Sequence, residues 1–212
     1  MAWCSPRGCC AHSSATRMHR SPSCALGFRI KSGWATTVLL AAPTTPRVLD
    51  RRVCLLADPD SPETHQPYHA GLGTHEARAA KAVNRLVKAV ERFAHRSVAG
   101  LIAEYRAAGY RIRGAGIVVG SLIDPASIAN DHIRAHAEEG RLFRVVVEQA
   151  VRNCRLPVRV VREKELYAAA ARALRVPAGR LRRRVARLGE DVEGPWRAEE
   201  KGAALAAWMV LR

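Results

Sequence analysis

The chain has 212 residues, 48% of them hydrophobic, enough apolar material to bury one sizeable core as a single domain. A net charge of +16 and a pI near 10.7 point toward an anionic partner, although an Arg-rich composition is also what GC-rich coding yields. No run reaches the length of a membrane span, so a cytoplasmic protein without a membrane partner is expected.

Residues 1–33 contain Arg7, Arg17, Arg20, Arg29 and Lys31, no acid, and scattered Ser, Pro and Cys. They read as a disordered leader or an over-extended start, with Met18 as a later alternative; an Arg- and Ser-rich transit peptide is the other reading. Cys4, Cys9, Cys10 and Cys24 fall in this leader, while Cys54 and Cys154 lie in an apolar strand and on an apolar helix face. The last two fit small buried thiols better than a disulfide framework.

A single α/β domain is expected over 34–212. Thr36 to Leu40 and Val48 to Leu56 read as strands around the turn Pro43-Thr44-Thr45-Pro46, giving an antiparallel hairpin over 34–56 that carries Asp50-Arg51-Arg52. Three prolines and two glycines make 57–73 a loop, in which Gln66-Pro67-Tyr68-His69 has the character of a binding loop. A helix over 74–108, capped by Thr74 and weakened at Gly100, sets Val83, Leu86, Val90, Ala94, Val98 and Ile102 on one face. Its other face carries Arg78, Lys81, Arg85, Lys88, Arg92 and Arg96, a basic stripe about 27 Å long at helical rise. Such a stripe either tracks phosphates or is an ordinary solvated face.

The stretch 114–162 holds an apolar strand at Ile117-Val118-Val119, a turn-rich segment, a helix with core face Phe143, Val146, Val147, Ala150 and Cys154, and a β-branched strand at Val158-Arg159-Val160-Val161. This order predicts a right-handed parallel βαβ unit, with a ligand site beyond the carboxyl ends of its strands. Asp131 is placed to cap the helix. His132, His136 and Glu139 follow on neighbouring turns, a spacing that suits either metal ligation or solvent-edge histidines. Arg134, Arg141 and Arg144 beside them suit an anion at the helix start. Two short helices and a terminal Ala-rich helix fill 165–211, covering one face of the sheet.

Hairpin, helix, strand, helix, strand and a terminal helix reading Glu199-Glu200-Lys201-Gly202-Ala203-Ala204-Leu205-Ala206-Ala207 resemble the ribonuclease H-like superfamily, in particular the RuvC-type resolvases. The resemblance implies a mixed sheet with an N-terminal antiparallel hairpin and a C-terminal parallel unit. It also implies nucleic acid as partner, DNA ahead of RNA, and carboxylates on the first strand, the fourth strand and the terminal helix that hold two Mg²⁺ or Mn²⁺ ions. The strand over Thr36 to Leu40 carries no acid, so Asp124, Glu139, Glu199 and Glu200 become the candidate catalytic carboxylates, with Asp50 as a further substitute. His132, His136 and Glu139 are the candidate metal ligands. Asp124, Glu139 and Glu199 or Glu200 are expected in one cleft with the two histidines and Arg134. The nucleic-acid contacts expected are Arg85, Lys88, Arg92, Arg134 and Arg144.

Residues 168–189 separately resemble a Fis-like helix-turn-helix, which implies that Arg180, Arg183 and Arg184 meet DNA from the second helix and gives a non-catalytic DNA-binding alternative.

Overall fold

The computed structural model describes residues 23–41, 45–72 and 76–212. Its centre is a strand, β1 (Ser23–Lys31), followed by β2 (Trp34–Ala41) and β3 (Arg47–Leu55) in an antiparallel meander. The leader expected over 1–33 is thus corrected from Ser23 onward: seven consecutive residues, Cys24 to Ile30, are buried. A strand enclosed on both faces loses the apolar–polar alternation by which a half-exposed strand is recognised. The β1–β2 connection is the two-residue turn Ser32-Gly33, with Gly33 at φ 82°, a conformation open to glycine at no steric cost. The rest of the leader, Pro43 and Thr44 of the expected turn, and the Thr74 cap lie outside the described residues.

Helix α1 (Glu76–Ala107) crosses the sheet without a break at Gly100. It leads to β4 (Arg111–Val119), α2 (Asp131–Asn153) and β5 (Val158–Arg162). Strand order is β3-β2-β1-β4-β5; β4 pairs parallel with both β1 and β5, and Ile117 faces Val160 in register. The expected parallel βαβ unit is present, and β1 joins it to the antiparallel half. The cap of α2 is Asn130, whose side chain accepts from the Ile133 N–H at 3.0 Å, rather than Asp131, which is the first helical residue.

Three more helices follow: α3 (Leu166–Leu174), α4 (Ala178–Arg187) and α5 (Ala198–Val210). One core lies between the sheet and α1 with α2, built from Leu26, Phe28, Ile117, Phe143 and their neighbours. The other lies between the opposite sheet face and α3 to α5, around Val38, Leu40, Val118 and Leu205. Each face buries one layer of apolar side chains, the usual solution for a mixed sheet. Helix α5 sits so close that a Cβ on Gly27 would run into the backbone of Ala203, and one on Gly116 into the backbone of Ala206.

Candidate functional site

Parallel strands β1 and β4 end side by side, and their exits open into a cleft of about 300 Å³ against the first turns of α2. Its walls include Arg29, Lys31, Ser121, His136, Arg141 and Arg144, and among the described residues no carboxylate lines it. Arg29 is buried on β1; its guanidinium donates to the Ile30 carbonyl at 2.7 Å and pairs with Glu163. Lys31 meets Glu199 at 3.4 Å and Arg144 meets Glu148 at 2.6 Å. The Glu199 carboxyl is held below the usual range, first by a hydrogen bond to its own backbone and then by Lys31, against the opposing effect of burial.

This donor set does not fit the pair of Mg²⁺ or Mn²⁺ ions that the resolvase resemblance implies. Hard dications take oxygen ligands, and Mg²⁺ in such sites is usually anchored by one or two carboxylates with water and substrate phosphate completing its shell. The end of β1 offers a guanidinium and an ammonium instead, and β4 runs out at Val119-Gly120. Nor do the candidate carboxylates converge. Asp124 caps a 3₁₀ turn by accepting from the Ala126 N–H at 3.2 Å, and it lies 3.9 Å from Arg141. Glu200 accepts from the Arg197 N–H at 2.8 Å at the start of α5 and faces Arg51 at 3.4 Å. Asp50 is held by the Tyr105 hydroxyl, the Arg52 guanidinium and the Arg51 N–H. Helix α5 packs on one face of the sheet and α2 on the other, and Glu199 pairs with Lys31 of the cleft wall while Glu200 pairs with Arg51.

Glu139, the expected metal ligand and catalytic carboxylate, is fully buried on α2. Its Oε1 accepts from His69 Nδ1 at 2.7 Å, and its Oε2 lies 3.6 Å from His136 Nδ1. His69, from a 3₁₀ turn (His69–Gly71) in loop 56–72, completes a cluster with His132 and His136. The ring centroids are 4.9 Å (His69 to His132), 4.3 Å (His69 to His136) and 4.7 Å (His132 to His136) apart. One ring nitrogen from each lies within 4.8 Å of the others. The i, i+4 pair was legible in sequence. The third histidine was visible only as part of a polar loop, because sequence gives no measure of which loop folds onto which helix.

The predicted basic residues are distributed over three surfaces. Arg85, Lys88 and Arg92 are exposed along α1, and no ion pair engages them among the described residues. Arg134 reaches back to the Ile128 carbonyl at 3.0 Å and pairs with Asp131, clamping the entry to α2. Arg180, Arg183 and Arg184 are exposed on α4, whose other face buries Leu181 and Val185. Between α3 and α4, Arg175 takes the left-handed conformation at φ 53°, where glycine is the unstrained residue.

A mixed sheet in this order, hairpin at one side and parallel strands at the other, with helices on both faces, is the ribonuclease H-like fold. Solved structures that share it include two of RuvC. Thermus thermophilus RuvC superimposes with a TM-score of 0.50 at 12% identity, covering 88% of this chain and 92% of that one. T. thermophilus RuvC in complex with Holliday junction substrate gives 0.51 at 13% identity, covering 88% and 91%. No protein-family model and no curated protein matches the sequence. Among the described residues no helix is long and apolar enough to cross a membrane.

Proposed function

We propose that this chain is a nucleic-acid-binding protein of ribonuclease H-like fold that holds DNA phosphates at the sheet edge without two-metal cleavage there. The observation that carries this reading is the cleft at the ends of β1 and β4, walled by Arg29, Lys31, Arg141 and Arg144 and lined by no acid among the described residues. Phosphate oxygens are recognised by such groups, and the exits of parallel strands are where open sheets of this kind present their ligands. A structural neighbour bound to Holliday junction substrate makes branched DNA the first ligand to test.

Fluorescence anisotropy with junction, duplex and single-stranded DNA, in Mg²⁺ and in chelator at matched ionic strength, tests it. Binding should persist in chelator, weaken linearly in log salt, and yield no Mg²⁺-dependent product. Replacing Lys31, Arg141 and Arg144 with Gln should flatten the salt slope by about 0.9 for each duplex phosphate that is no longer neutralised. Failure to bind any DNA at low salt, or Mg²⁺-dependent cleavage that Glu199→Gln abolishes, would overturn the proposal.

A second reading places DNA on α4, favoured by the left-handed Arg175 turn and the exposed Arg180, Arg183 and Arg184. Arg183→Ala would then change sequence preference, whereas the cleft variants would weaken all sequences alike.

A further inference from the structure

We propose that His69, His132 and His136 form a mononuclear site for a transition-metal dication of the Zn²⁺ class, with Glu139 orienting His69 from behind. Glu139 is fully buried and its Oε1 accepts from His69 Nδ1 at 2.7 Å. That bond places the His69 proton on Nδ1 and leaves the Nε2 lone pair free. Among the described residues, Nε2 is buried without a hydrogen-bond partner, and so is Glu139 Oε2. Orphaned polar atoms in a folded interior forfeit the hydrogen bonds they made to water unless something satisfies them. An imidazole with a carboxylate on one nitrogen and a bare lone pair on the other is the arrangement that metal-binding histidines adopt. A dication on Nε2 satisfies that atom and places positive charge one ring away from the buried carboxylate, whose ion-pair partners among the described residues are His69 and His136.

The geometry needs little adjustment. One donor nitrogen from each histidine already lies within 4.8 Å of the others. Tetrahedral ligation at about 2.0–2.1 Å brings such nitrogens to about 3.3 Å. Rotating the side chains of His132 and His136, both exposed on the first turns of α2, supplies the difference without moving the backbone. Three nitrogen donors select Zn²⁺, Co²⁺, Ni²⁺ or Cu²⁺ over Mg²⁺ and Ca²⁺, which require oxygen. The solvent side leaves a fourth position for water. The ion would also pin loop 56–72 to α2, joining segments that are far apart in the chain.

The test uses the full chain, stripped with chelator and titrated with ZnCl₂ by calorimetry and with CoCl₂ by visible absorption. One ion per chain is expected, and the Co²⁺ complex should show ligand-field bands of a nitrogen and oxygen site without the near-ultraviolet thiolate transition that Cys4, Cys9 or Cys10 would produce. MgCl₂ in excess should not compete. His132→Ala and His136→Ala remove exposed side chains, so the variants should fold; each should abolish the ligand-field bands. Glu139→Gln should weaken affinity about 10–100-fold. His95→Ala should change nothing. Absence of stoichiometric binding, thiolate-dominated spectra, or ligand-field bands that survive in either histidine variant would overturn the assignment.

Discussion

Asp50 holds β3 against α1. It accepts from the Tyr105 hydroxyl at 2.6 Å, from Arg52 Nε at 2.7 Å and from the Arg51 N–H at 2.7 Å. Burial works against its ionised form, but these donors outweigh it and the carboxyl is held below the usual aspartate range. A depressed folded value means that the stabilisation is fully present above the unfolded value, about 3.9, and is lost as pH falls through the folded one. Tyr105→Phe should therefore cost about 1–2 kcal/mol near neutrality, toward the lower end because solvent reaches the carboxylate. Melting curves of the parent and the variant between pH 2 and 7 should converge at the acid end; a constant gap would mean that the hydroxyl acts by packing alone. The same residue scale separates what sequence could tell from what it could not. The helical spacing of His132 and His136 is local, so it was readable. Glu139 follows in the same register, yet whether a carboxylate becomes a ligand or a buried support depends on what folds over it, here His69.

Gly27, Gly116 and the alanines of α5 form a fit of backbone against backbone. Helix α5 buries Ala203, Ala204, Ala206 and Ala207 on the sheet, and side chains on either glycine would meet its carbonyl groups. Neither partner can yield as a flexible side chain would, so Gly27→Val or Gly116→Val should destabilise by at least about 3 kcal/mol, beyond ordinary overpacking. Chemical denaturation measures this, and a loss below about 1 kcal/mol would mean that α5 can shift outward. Most helices and the parallel unit were legible because each presents a one-sided apolar face, from Leu86 to Tyr105 on α1 and from Phe143 to Ala150 on α2. β1 was not, for the opposite reason: Cys24 through Ile30 is buried throughout and includes a charged residue, Arg29. A strand without alternation reads as leader, and the Ser32-Gly33 turn after it fell inside the expected 1–33 leader.

Across the whole molecule the positive charge has two distinct settings. In the sheet-edge cleft, Arg29, Lys31, Arg141 and Arg144 have acidic neighbours outside its walls that fix their orientation. Along α1, Arg85, Lys88 and Arg92 stand in solvent without such anchors among the described residues. Exposed unpaired cations are screened strongly by salt, with a Debye length of about 8 Å at physiological ionic strength. Replacing those three with Gln should lower duplex affinity uniformly across sequences and reduce the salt dependence, while affinity for short single strands held in the cleft is unchanged. Anisotropy titrations at several salt concentrations separate the two; equal losses for both ligands would merge stripe and cleft into one surface. The position of β1 also has a consequence for synthesis. Its partner on one side, β2, follows after a two-residue turn, but its partner on the other side, β4, begins at Arg111. At about 5–20 residues per second, the free edge of β1 waits on the order of 4–16 s for β4 to be made. During that interval a nascent chain displays an unsatisfied row of amides next to Phe28 and Leu26, flanked by Arg29 and Lys31, whose charges discourage pairing with a neighbouring nascent chain on the same message.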